Sequence, residues 1–222
     1  MNIEFLLAVL PCVLIALYIY VNDKKEKEPV GEIFKAFVMG IASIFVTLFI
    51  SSILGINKLY PNTNDIIEVL IYSFIYIALI EELAKFICSY IFVNRNPNFN
   101  YLFDGVVYFT CVSLGFALIE NILYAFEGDI YSILLRAVTA IPAHTFFGIS
   151  SGYYYSLYRK NDNKKYFIFS IVVPILLHGF YDFCILTDNY IFTYIFILFM
   201  TFFYYFSINR IKKFQKEDEY IK

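Results

Sequence analysis

The sequence predicts an all-α polytopic membrane protein, a transmembrane helical bundle of about seven spans. Two observations predict it. Of 222 residues, 60% are hydrophobic and only 16% charged, with a mean hydropathy of +0.67. A soluble domain carries about a quarter charged residues and could not hide so much apolar surface. The apolar residues also fall in unbroken runs of the ~20 residues a helix needs to cross ~30 Å of hydrocarbon. Membrane barrels show ~10-residue alternating segments instead.

Seven runs qualify: 3–21, 34–54, 66–93, 102–126, 138–158, 166–186 and 190–208. Short polar segments separate them, so residues 1–222 read as a single integral membrane domain. The first run lacks a basic leading region, and its end, "YIYVND", offers no small-residue cleavage site. It reads as a retained helix rather than a signal peptide.

Basic residues orient the bundle. Lys24, Lys25, Lys27, Arg95, Arg159, Lys160, Lys164, Lys165, Arg210, Lys212, Lys213, Lys216 and Lys222 fall on one side, whereas the opposite loops hold only Lys58 and Arg136. Positive charge stays on the cytoplasmic side, so the N-terminus is expected outside and the C-terminus inside, in a multi-pass cell-membrane protein. Arg136 reads as an anchor at the outer interface, and Asp104 as an interfacial residue beside a close-packing Gly105. The four cysteines (Cys12, Cys88, Cys111 and Cys184) all fall within spans and form no CxxC pair, which suggests small buried hydrophobes rather than a disulfide framework. The sequence shows no Gly-rich phosphate loop, nucleotide fingerprint or internal repeat, and no nucleic-acid partner is expected.

The third run is the anomaly. "LIEELAKF" places Glu81, Glu82 and Lys85 near the middle of a membrane helix. Three central charges cost roughly 8 to 10 kcal/mol on insertion scales, while the sixteen Leu, Ile, Val and Phe residues of the run return about 5 to 10 kcal/mol. The balance is near zero, so the polar face must meet partners rather than lipid. Helical spacing brings Lys85 to Glu81 (i, i+4) and Glu82 (i, i+3), but one lysine neutralises only one carboxylate. Other runs supply candidates: Glu120 and Asn121 in the fourth, His144 in the fifth, His178 and Asp182 in the sixth. At ~1.5 Å per residue, Glu82, His178, His144, Asp182 and Glu120 lie about 16 to 27 Å from the basic end, in one slab from mid-membrane outward. Intramembrane ionisable groups are functional candidates by default.

These residues carry a resemblance. Glu81-Glu82-x-x-Lys85, Phe116-x-x-x-Glu120-Asn121, His144-x-x-x-Gly148 and His178-x-x-x-Asp182 are similar to the motif series of the PrsW family. These multi-spanning bacterial proteases are related to the CAAX-protease and bacteriocin-processing superfamily. "DKKEKEPVGEIFKAF" and "FDGVVYFTCVSLGFALIENILY" resemble further family segments, and the likeness covers a protease core of about 20–186. The C-terminal span and basic tail, 187–222, add nothing to it. The CAAX branch has Glu-Glu-x-x-x-Arg and a histidine where this chain has Glu120, which points away from prenylated substrates. The resemblance implies an intramembrane peptidase acting on a single-span membrane protein, characteristically an anti-sigma factor cut on its extracytoplasmic side, in a stress response.

The residues suggest a mechanism. No Ser, Thr or Cys occupies a nucleophile setting; Ser150, Ser151 and Cys111 read as helix-packing residues. A water activated by Glu81 or Glu82 is therefore favoured, with Lys85 holding the other carboxylate. His144 and His178 would stabilise the oxyanion or donate a proton, Asp182 would set the tautomer of His178, and Glu120 and Asn121 would complete the polar wall. Neighbouring positions point ~100° apart on a helix, which leaves the choice of glutamate open. No cofactor is favoured, but zinc on Glu82, His144 and His178 is a possible alternative set. A proton- or ion-coupled transporter could use the same residues, and a non-catalytic scaffold is a third class. The Gly148/Gly152 face is a candidate contact for an entering substrate helix.

Overall fold

The computed structural model describes residues 3–56, 59–127 and 130–221; Lys58 and Lys222, counted in the charge asymmetry, lie outside them. Among the described residues the chain is helical without strands, and one isolated antiparallel bridge joins Tyr101 to Tyr220. All seven runs are helical: α1 (Ile3–Asn22), α2 (Val30–Ile53), α3 (Ile66–Ile71) continuing through a π-helical segment (Tyr72–Ala78) into α4 (Leu79–Val93), α5 (Leu102–Glu127), α6 (Ile130–Val138), α7 (Ala140–Asn161), α8 (Lys164–Leu186) and α9 (Tyr190–Lys216). Six helical stretches are long and apolar enough to cross a membrane; the remaining run is divided by its π-helical segment. Short helix α6, ahead of the fifth run, was not anticipated.

Local chemistry sets the ends. Asp65 Oδ1 accepts hydrogen bonds from the amides of Ile67 (2.9 Å) and Glu68 (3.2 Å), which caps α3. Asn163 and Asn189 cap α8 and α9 in the same way, through Lys165 N and Ile191 N. Asp162, at φ 50°, ends α7 in the left-handed conformation.

The helices pack around α5, of whose span 89% is buried, against 17% for α1 and 11% for α9. Large apolar side chains such as Leu14, Leu17, Phe45, Phe49, Leu198 and Phe202 point outward, as a lipid-facing surface requires. Glycines set the tightest crossings. A Cβ on Gly152 would lie 2.0 Å from the carbonyl oxygen of Gly105, and one on Gly40 would lie 1.9 Å from that of Val112. The expected Gly148/Gly152 face is therefore present but already occupied by α5. It is not open to a substrate helix.

At the basic end, the tail folds back onto α5. Asp218 Oδ1 accepts from Phe103 N at 2.9 Å, Leu102 N donates to Glu219 O at 3.0 Å, and Ile221 N donates to Asn100 O at 2.6 Å. Asp104 lies beneath this tail with 1% exposure. It is buried, because the tail and the α1–α2 turn cover the first turn of α5.

Candidate functional site

Four helices bring the polar residues together, and α4 contributes most. Its first turn follows the π-helical segment, a wider turn of a kind found often near functional sites. The segment packs its Phe74 ring on Gly179, where an added Cβ would lie 2.4 Å from the ring. That contact holds α8 close to α4 beside His178.

Glu82 and Lys85 form the sealed floor. Their side chains are 4% and 5% exposed, and Lys85 Nζ stands 2.5 Å from Glu82 Oε1. The same oxygen lies 2.7 Å from His178 Nδ1, and Lys85 Nζ lies 3.1 Å from His144 Nδ1. Phe116 presents its ring face to the ammonium at 4.6 Å, and Phe147 stacks on His178 at 5.0 Å. These contacts fix the imidazole tautomers. An ammonium only donates, so His144 Nδ1 accepts and neutral His144 carries its proton on Nε2. Glu82 as a carboxylate only accepts, so His178 Nδ1 donates.

The outer faces of both imidazoles turn to a second tier. His144 Nε2 is 2.9 Å from Glu120 Oε2, and His178 Nε2 is 3.2 Å from Asp182 Oδ2 and 3.8 Å from Glu81 Oε2. Glu81 Oε2 is buried and has no hydrogen-bond partner. This tier borders a cleft of about 580 Å³ whose lining includes Glu81, Glu120, Arg136, His144, His178 and Asp182, but neither Glu82 nor Lys85. The cleft opens at the ends of α5 and α8 that lie away from the basic loops.

Seven of the eight expected residues are thus joined in one network. Asn121 is attached only through Arg136, whose Nε donates to Asn121 Oδ1 at 2.7 Å. Arg136 also pairs with Glu120 at 2.8 Å and lies 3.8 Å over the Tyr124 ring. It is a member of the site and not the interface anchor read from sequence, because α6 returns its last turn over the cleft. A lone arginine in the apolar "YSILLRAV", with an unpaired Glu120 in the preceding helix, was the available signal. Tyr181, whose hydroxyl donates to Thr139 Oγ1 at 3.1 Å, was also missed.

At this site two sets of residues each bring three ligand atoms within 4.8 Å of one another: Glu82, His144 and His178, and Glu81, Glu120 and His144. The first is the set expected from sequence. Lys85 already engages Glu82 Oε1 and His144 Nδ1 of that set, and its fixed positive charge opposes a divalent ion there. The second requires the proton on His144 Nε2 to leave and Arg136 to share Glu120, but it faces the cleft. Its residues border the cleft, and Glu81 brings an oxygen with no partner.

Residues 28–208 match the family model described as PrsW family intramembrane metalloprotease, a match that runs past 186 into α9. The chain is 34% identical to the Protease PrsW of Oceanobacillus iheyensis over 91% of this chain and 92% of that protein. Against the Protease PrsW of Bacillus subtilis identity is 32%, covering 91% of both. Against that of Clostridioides difficile it is 31%, over 83% and 79%. No solved structure matches the chain.

Proposed function

Since this chain belongs to the PrsW family of intramembrane proteases, we propose that it cleaves a single-span membrane protein near the outer face of the membrane. Glu81 is the base that activates water in the cleft. The observation that carries this reading is the unpartnered Glu81 Oε2, buried at the cleft beside His178 Nε2. Glu82 lacks that freedom, since Lys85 and His178 occupy it.

Each neighbour then has a task. Glu81 takes a proton from water as the water attacks the scissile carbonyl. His178, oriented by Glu82 on Nδ1 and Asp182 on Nε2, passes a proton to the leaving amine. Arg136 supplies positive charge and the Nε2–H of neutral His144 a hydrogen bond to the developing oxyanion, and Glu120 holds both in place. Lys85 fixes Glu82 and His144 from below. A divalent metal such as zinc would be held by Glu81, Glu120 and, once its Nε2 has lost its proton, His144, and when bound it would polarise the carbonyl and acidify water.

The cleft's position away from the basic loops favours an extracytoplasmic cut, with the N-terminus outside and the C-terminus cytoplasmic. An anti-sigma factor is the substrate class that fits, a single-span protein whose cut initiates a stress response. Neither the fold nor the relatives support ion transport. Membranes from cells expressing wild type and Glu81→Gln at equal levels test the proposal by proteome-wide comparison of N-termini. New termini at the outer edge of a single-span protein, present with wild type alone, are expected. Identical termini under envelope stress, with both proteins folded, would overturn it.

A further inference from the structure

Three buried carboxylates meet at the basic end of the bundle, far from the cleft. Asp23 follows α1, Glu28 precedes α2, and Asp104 lies in the first turn of α5; they are 1%, 3% and 1% exposed. One oxygen from each lies within 4.8 Å of the others.

Their hydrogen bonds are incomplete. Asp104 Oδ2 accepts from the amides of Asn100 (2.8 Å) and Tyr101 (2.6 Å), Asp23 Oδ2 accepts from Glu28 N (3.3 Å), and Tyr108 Oη donates to Glu28 Oε2. Oδ1 of Asp23 and Oδ1 of Asp104 are fully buried and accept from no amide, hydroxyl or ammonium, although the Glu28 and Asp104 side chains lie within hydrogen-bond reach of each other, and the buried Asn100 Oδ1 nearby in sequence is likewise unpartnered.

Nor does a basic side chain pair with the group. Among the described residues no lysine or arginine forms an ion pair with any of the three. Lys27, the nearest in sequence, turns instead to the carbonyls that end α1, Tyr20 O at 2.5 Å and Val21 O at 3.1 Å. Buried charge of this kind is found paired or bound to a metal, and an all-oxygen donor set selects a hard ion.

We infer that Asp23, Glu28 and Asp104 form a binding site for a hard divalent cation, Mg²⁺ or Ca²⁺, distinct from the catalytic cleft. The ion ties the α1–α2 turn to the first turn of α5, under the tail held by Asp218. Because α5 also carries Glu120, the site braces the central helix at the end opposite the chemistry.

Tb³⁺ tests this on the full-length protein, stripped with chelator and held in nanodiscs of neutral lipid. It is a hard oxygen-seeking probe, and Tyr108 lies within reach to sensitise its emission. Saturable emission displaced by Ca²⁺ or Mg²⁺ is expected. Asp23→Asn should weaken Tb³⁺ binding roughly 10-fold or more, and the emission lost in that variant should persist in Glu81→Gln/Glu120→Gln. Should Asp23→Asn fail to fold, Glu28→Gln, which keeps the side chain's volume and its contact with Tyr108, carries the same expectation. Ca²⁺ or Mg²⁺ should also raise the Tm of wild type more than that of either variant. Absent emission, emission equal in Asp23→Asn or Glu28→Gln, or emission lost only in Glu81→Gln/Glu120→Gln overturns the inference.

Discussion

Two groups of buried carboxylates lie at opposite ends of this bundle, and the chain answers them differently. At the cleft, Glu82, Glu120 and Asp182 lie within 3.2 Å of Lys85, Arg136 or an imidazole, and Glu81 lies 3.8 Å from His178. At the basic end, Asp23, Glu28 and Asp104 meet amides and one hydroxyl, and no cation among the described residues. The contrast is physical. Where side chains neutralise the acids in a graded way, Glu81 is left farthest from a charged partner, 3.8 Å from His178 against 3.2 Å for Asp182; where they do not, the missing charge is supplied from outside the chain.

Perturbing each cluster should sharpen the contrast. Glu82→Gln gives the largest stability loss, because it strands the Lys85 ammonium in a sealed site; about 3–5 kcal/mol is expected, read by thermal unfolding in detergent, together with loss of cleavage. A smaller effect follows from crowding the helix that joins the clusters. Gly152→Ala places a methyl against the Gly105 carbonyl and should cost ~1–3 kcal/mol with a parallel drop in activity. Asp104→Asn tests the basic end by metal response: in chelated protein its Tm should be near that of wild type, and added Ca²⁺ or Mg²⁺ should raise it less. Arg136→Lys is the mildest. It keeps the charge but loses the fork to Glu120 and Asn121 and the stack on Tyr124, which should slow cleavage about tenfold with little change in unfolding.

Much of this was legible before the structure. The seven apolar runs predict the helices because hydrocarbon leaves only helices and closed barrels to satisfy a spanning backbone, and unbroken runs of this length do not suit barrel strands. The cost of Glu81, Glu82 and Lys85 in one helix predicts a shared polar site, and residues on four helices converge on it. The rest depended on tertiary packing. Glu81 and Glu82 are equivalent in a motif; only Lys85 and His178 closing on Glu82 tell them apart. Arg136 looked like a loop residue until α6 folded it over Glu120. Asp104 looked interfacial because nothing in its own helix reveals that the C-terminal tail covers it.

The central claim is that Glu81, not Glu82, is the residue free to act on water. Single-turnover cleavage of a reconstituted single-span substrate, with the Tm measured on the same samples, tests it most directly. Glu81→Gln should lose roughly 10²- to 10⁴-fold in rate with an almost unchanged Tm, whereas Glu82→Gln loses both. A Glu81→Gln protein that cleaves at close to the wild-type rate, or whose Tm falls as far as that of Glu82→Gln, would contradict the account.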